Sequence, residues 1–257
     1  MSTVTAPYYA DDKVALYHGD CRGILPELGL AADLIVADPP YGETSLDWDV
    51  WPDGWPSLMT GHGSSLWCFG SMRMFLAQHH QFADWRLSQD VVWEKHNGSG
   101  FAADRFKRVH EHALHWYRGR WSDLQRDVPR IPFDGPTNAR SSKRRPGNSP
   151  AHLGAIAQNA AYVSTDRMMR SVIRHPSMHG NALNETEKPT GILEPLITYG
   201  CPPGGLVLDP FAGSCSTLVA ARALGRRAVG IEKRESQCEK AALRLAQDCL
   251  DLGRCVP

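Results

Sequence analysis

The chain has 257 residues, 42% apolar and 22% charged, with 28 basic against 28 acidic side chains. That is the composition of a folded globular protein, long enough for one α/β domain with an insertion, and it excludes global disorder. Met1 to Lys13 is polar, no apolar run approaches membrane-spanning length, and seven cysteines lack any C-x-x-C pair, so a reducing cytoplasm, no membrane and no disulfide framework are expected.

From the N-terminus, Lys13 to His18 alternates with strand period and ends at Gly19-Asp20, and Ile24 to Leu30 reads as a helix. Leu34 to Ala37 is a buried strand that closes on Asp38-Pro39-Pro40-Tyr41. A Trp-rich loop follows from Trp48 to Trp55, broken by Pro52, Gly54 and Pro56; the cluster Trp48, Trp51 and Trp55 reads as core, with a lid over a pocket mouth as the other option. Ser65 to Phe69 is the next strand, after which Ser71 caps a helix running to about Asp84. Arg86 to Lys95 and Val109 to Tyr117 again alternate with strand period.

Between Arg118 and Asn148 the pattern breaks into Pro, Gly, Ser, Asn and Arg, with eight basic residues against three acids. A basic segment on a neutral chain suits local phosphate contacts, although a solvated loop has the same composition. Residues 151–187 give no firm periodicity and leave room for short helices. Order returns at Lys188-Pro189, where Pro189 starts a helix to Tyr199. A Pro-Gly turn leads into Leu206 to Leu208, which ends on Asp209-Pro210-Phe211-Ala212-Gly213-Ser214-Cys215. A helix over Ser216 to Leu224, a strand over Arg227 to Ile231 ending at Glu232, and an amphipathic helix from Glu235 to about Leu250 complete the chain.

This βαβα tail is a nucleotide-binding half-unit in outline. Glu232 stands where an acid accepts ribose hydroxyls, a pattern that dinucleotide cofactors share. The turn lacks a three-glycine phosphate cradle, and Asp209 suits a cationic group better than a pyrophosphate. S-adenosylmethionine, with an ammonium and a sulfonium, meets both conditions. In the first turn, Pro39 and Pro40 remove two N–H groups, so the rim offers a carboxylate and carbonyl oxygens without competing donors. Such a rim fits the –NH₂ of a nucleobase: Asp38 and the Pro39 carbonyl can hold both amine hydrogens while Tyr41 stacks on a base turned out of the duplex. The two acids lie 171 positions apart, yet both end strands and can meet at one sheet edge.

Taken in order, Gly19-Asp20, Asp38-Pro39-Pro40-Tyr41-Gly42, His110-Glu111-His112 before Tyr117, Glu187-Lys188-Pro189, Asp209-Pro210-Phe211-Ala212-Gly213 and Gly230-Ile231-Glu232 resemble the amino-directed DNA methyltransferases of the permuted β group. The resemblance spans roughly residues 13–118 and 187–250. It implies an α/β, three-layer αβα Rossmann-like fold with a mostly parallel central sheet, made of residues 1–118 and 187–257, and an inserted target-recognition region at 119–186. It also implies S-adenosylmethionine as cofactor, duplex DNA as partner, base flipping, and catalysis at Asp38, Pro39, Pro40 and Tyr41. Asp20 and Cys21 would lie near the cofactor adenine, Glu232 and Lys233 at the ribose, and Lys188, Pro189 and Thr190 with Asp38 at the methionine end. Asp209, Pro210, Phe211, Ala212, Gly213, Ser214, Ser216 and Thr217 would wrap the cofactor.

Asp rather than Ser at position 38 resembles adenine-N6 modification; cytosine-N4 methylation, a lapsed DNA-binding protein and an RNA methyltransferase are the alternatives. Carbon-5 methylation is excluded because the chain has no Pro-Cys dipeptide. Arg140, Lys143, Arg144 and Arg145 are the expected phosphate contacts. A homodimer and a restriction-modification partner both fit the resemblance, but no heptad marks a dimer face. His110, His112 and His115 have no acid or cysteine at ligand spacing, so no metal is expected. The family's glycine after Ser214 is Cys215 here, a change expected to be tolerated because its neighbours are small, unless the position needs a positive φ.

Overall fold

The computed structural model describes residues 6–99, 103–132, 166–178 and 187–253. Strand β1 (Tyr9–Ala10) pairs with β2 (Val14–His18), which leads into helix α1 (Cys21–Leu28). The Asp20 carboxylate caps α1 by accepting from the Arg22 amide at 3.0 Å, so the helix begins three residues before the apolar pattern does. Strand β3 (Leu34–Ala37) is buried along its whole length. A one-turn helix α2 (Trp55–Leu58) replaces the end of the expected Trp loop, with Pro56 in its first turn.

Strand β4 (Ser65–Gly70) and helix α3 (Met72–Gln78) follow, with the Ser71 hydroxyl accepting from the Met74 amide at 3.0 Å. The helical stretch expected to reach Asp84 tightens after Gln78 into a 3₁₀ turn over His79–Phe82. Strands β5 (Arg86–Ser99) and β6 (Arg108–Tyr117) form a long antiparallel hairpin. Strands β7 (Arg130–Pro132) and β8 (Asp166–Met168) pair antiparallel and are joined by an Arg130–Asp166 ion pair of 2.8 Å. They belong to a separate compact unit, residues 128–169. Strand β9 (Val172–Arg174) instead joins the main sheet beside β5, where short helices had been an option.

Helix α4 (Thr190–Gly200), strand β10 (Leu206–Asp209), helix α5 (Ser216–Ala223), strand β11 (Arg227–Glu232) and helix α6 (Glu235–Gly253) close the main unit as the periodicity indicates. Its nine strands run in the order β1-β2-β11-β10-β3-β4-β6-β5-β9. The five from β2 to β4 are parallel, and the β5–β6 hairpin adds antiparallel strands beyond them. Successive side chains face opposite sides of this sheet. Ile35, Ala37, Leu66, Cys68 and Leu208 pack with Leu25, Trp55, Phe75 and Phe82 from the α1–α3 side. On the other side α5 packs on α4, and Arg222 of α5 donates to the Leu245 carbonyl of α6 at 3.1 Å. Gly230 allows close packing, because a Cβ there would lie 2.9 Å from that of Ala212.

The doubly wound order places the site. β10 and β3 are parallel neighbours, with Leu208 beside Ile35, and the chain leaves their carboxyl ends in opposite directions around the sheet. A crevice opens at such a switch point. One of the three histidines is simply structural: His115 is fully buried against Trp67 and bonds Ser65 Oγ at 2.9 Å and Ser88 Oγ at 2.5 Å.

Burial pushes the His115 imidazole down to about 4. The unfolded chain therefore takes up a proton near pH 6.5 that the folded chain refuses until about 4. Stability from this residue is present above pH 6.5 and is lost as pH falls through that window, on the order of 3 kcal/mol in all. Denaturant melts of wild type and His115→Gln should therefore converge as pH drops from 6.5 to 4; a constant gap between them would sink this account.

Candidate active site

At the switch point a cavity of about 750 Å³ is lined by both acidic turns, by Gly19 to Arg22, by Trp48 to Asp53, and by Glu111, Glu187, Lys188, Glu232 and Lys233. Of the residues expected to hold a cofactor, Pro189 and Thr190 do not line it: Pro189 is buried as the residue that opens α4. The others do line it. Arg140, Lys143, Arg144 and Arg145 lie outside the described residues.

The turn after β3 holds Asp38 in an ionic cluster. Its Oδ1 accepts from the Tyr41 hydroxyl at 2.8 Å, and its Oδ2 faces Lys188 Nζ at 2.5 Å. Lys188 also lies 3.3 Å from Glu111 Oε2, and the other Glu111 oxygen is held by Lys95 of β5. Burial raises the Asp38 carboxyl, with Glu111 adding to the effect and Lys188 opposing it. Burial works against charge on Lys188, but Asp38 and Glu111 outweigh it and keep the ammonium protonated. Asp49 accepts from the amides of Gly42, Glu43 and Thr44 at 2.7–3.0 Å, which anchors the chain leaving the turn.

The turn after β10 is built on carboxylates as well. Asp209 accepts from the Phe211 amide at 3.0 Å, and burial raises its carboxyl to about 7. A cation entering the cavity would restore its charge at neutral pH. Glu232, at the end of β11, accepts from the Gly213 amide at 2.9 Å and from the Arg234 amide at 2.8 Å, which ties the turn to the neighbouring strand. Arg22 grips Asp20 through two bonds of 2.7 and 2.9 Å and holds that carboxyl well below the usual range. Phe211 meets Trp55 edge-on at 5.2 Å. The Trp cluster divides between roles: Trp55 is fully buried, whereas half-buried Trp48 lines the cavity and lies 4.7 Å under the Arg234 guanidinium.

Cys215 meets the condition that undercuts its expected tolerance. It has φ 61°, the one positive φ outside glycine among the described residues. A side chain there costs roughly 1–2 kcal/mol, which neighbouring small residues do not remove. Hydrogen bonds of its amide to the Ala212 carbonyl (2.7 Å) and of its carbonyl from the Val219 amide (3.0 Å) hold it in place.

Glu111, Lys95, Glu187 and Arg244 were not singled out as site residues from the sequence. Glu187 accepts from Arg244 at 2.8 Å and from Ser216 Oγ at 3.1 Å, so it braces the start of α5 after the second turn. A signal existed for two of them, since Glu111 and Glu187 sit inside the motifs His110-Glu111-His112 and Glu187-Lys188-Pro189.

The three-layer, doubly wound sheet has the Rossmann-like fold of methyltransferases of known structure. Residues 32–243 match the DNA methylase family of N6- and N4-directed enzymes, and the chain belongs to that family. It is 27% identical over 270 residues to the Type II methyltransferase M.ScaI of Streptomyces caespitosus, covering 96% of this chain and 86% of that protein. Among solved structures, the M1.HpyAVI–SAM complex superposes with a TM-score of 0.62 at 21% identity, covering 90% of this chain and 98% of that one. The cytosine-N4-specific PvuII DNA methyltransferase superposes at 0.60 with 13% identity, covering 93% and 88%.

Proposed function

We propose that this DNA methylase transfers methyl from S-adenosylmethionine to the N6 amine of an adenine flipped out of duplex DNA, with its motifs in the permuted β order. The observation that carries the reading is the single cavity lined by both Asp38 to Tyr41 and the Asp209 to Ser214 turn with Glu232. The cavity's residues fit the cofactor. Asp209, buried and raised, matches a cationic methionine end; Glu232, with its carboxylate already oriented by two amides, matches a ribose diol; Phe211 and Trp48 offer aromatic surface. When bound, the cofactor supplies a methyl group on a positively charged sulfur.

Asp38 then accepts a hydrogen bond from the amine and counters the positive charge that grows on nitrogen. Once the nitrogen is alkylated, Asp38 would take the proton the amine loses and pass it to water. Tyr41 fixes the carboxylate through its hydroxyl and presents its ring to the cavity. Arg140, Lys143, Arg144 and Arg145 supply phosphate contacts in this reading, and the region around 119–186 reads the target sequence.

The test is transfer of labelled methyl to unmethylated genomic DNA, followed by digestion to nucleosides. The expected label is in N6-methyldeoxyadenosine. Label in N4-methyldeoxycytidine would keep the reaction and overturn the base. A cofactor-loaded protein that labels structured RNA but no DNA would overturn the substrate.

A further inference from the structure

In this geometry Lys188 occupies the oxygen that an incoming amine needs. Asp38 Oδ1 is already taken by Tyr41, and Oδ2 by Lys188 at 2.5 Å. Each oxygen could accept a second bond, but an amine sharing Oδ2 competes with the ammonium for it; as the amine takes over, the ammonium gives way without losing a partner, because a buried unpaired cation is costly. Glu111 is positioned to receive it. Its Oε2 is buried and lies 3.3 Å from Lys188 Nζ, a longer contact than the 2.5 Å to Asp38. Its other oxygen is held by Lys95, so the carboxylate is fixed in place. A movement of under about 1 Å would shorten the Glu111 contact into a strong charge-assisted bond.

We propose, on the methyltransferase reading above, that Glu111 is a positioning residue that draws Lys188 off Asp38 as the target amine enters. Lys188 thus alternates between two carboxylates, one belonging to the reaction and one belonging to strand β6. Burial works to raise Glu111, but Lys188 and Lys95 outweigh it and hold it at about 2, so it is an anion throughout the working range. The groups that face Asp38 are Tyr41 on its own turn, Cys68 on β4, Glu111 on β6, Asp209 on β10, and Lys188 ahead of α4.

The test measures kcat against pH, with saturating cofactor and DNA, for wild type, Glu111→Gln, Lys188→Met and the double variant, with circular dichroism and thermal melting as the check on folding and calorimetric cofactor binding for Glu111→Gln. Glu111→Gln should lower kcat about 10- to 100-fold, the size of one charge-assisted hydrogen bond, while cofactor affinity holds. Lys188→Met should move the acid limb to higher pH, because the cation that keeps Asp38 ionised is gone. On the high-pH plateau the double variant should be as fast as Lys188→Met, since without the lysine nothing needs drawing away. A Glu111→Gln loss that persists in full on the Lys188→Met background overturns the exchange, as does an unchanged kcat in Glu111→Gln with an active wild type. Should Glu111→Gln fail to fold, the comparison of the charge-balanced double variant with Lys188→Met decides alone. A wild type that transfers no methyl to DNA overturns the functional reading and the exchange with it.

Discussion

Asp38→Ala is expected to lower kcat for DNA methylation by about 10²–10³-fold, because the one carboxylate facing the amine is removed. Cofactor affinity should fall far less than kcat, because Asp38 is only one of the groups at the methionine end. The turn after β10 and Glu232 hold each other through backbone contacts that do not involve Asp38. The lysine left behind keeps Glu111 at 3.3 Å, so the variant retains a counter-ion for Lys188 and should fold. Asp38→Asn separates charge from shape: its amide oxygen can still accept, but neither balances positive nitrogen nor takes up a proton. Both variants should be deficient in single-turnover transfer while binding cofactor by calorimetry. If Asp38→Asn turned over within about threefold of wild type, charge stabilisation by this carboxylate would be wrong, since even one preorganised group contributes far more.

The second large effect concerns stability. Arg244→Ala should destabilise the fold by about 3–5 kcal/mol, since it removes a buried ion pair and two further charge-assisted hydrogen bonds at once. Glu187 has a side chain 2% exposed, and Arg244 bonds it, Ser216 Oγ and the Ser214 carbonyl at once. For a chain of this length that loss lowers the melting temperature by roughly 10 °C. The same change frees the Ser214 carbonyl and the start of α5, so cofactor affinity should fall together with stability. Thermal melts with and without cofactor would show it. A shift below about 2 °C would mean that water replaces the guanidinium, and that the brace is not needed.

Much of the fold was readable along the chain. The strands at Leu34–Ala37 and Leu206–Asp209 are apolar runs ended by Asp, and both were found within a residue of their observed bounds. Ser71 and Pro189 were recognisable as helix starts because capping chemistry is local. Helix α2 was missed since its single turn, with Gly and Pro on either side of Trp55, has too few residues for a period. The start of α1 was misplaced because the Asp20 cap, rather than the apolar spacing, sets it.

The site divides along the same physical line. Which groups the cavity offers is written in short motifs, because the turns that display Asp38 and Asp209 are made of neighbouring residues whose φ limits and donor losses act locally. How those groups are charged and held is not, because it depends on contacts between distant segments: Lys188 reaches Asp38 across 150 positions, and Arg244 reaches Glu187 across 57. Cys215 shows the boundary most directly. Its identity is plain from the chain, yet its cost follows from a backbone angle of 61° at the residue that opens α5, which only the folded chain shows. A residue type and its spacing state what chemistry is on offer; burial and long-range pairing, which exist only once the sheet has closed, decide which carboxylates carry charge and which cation they share.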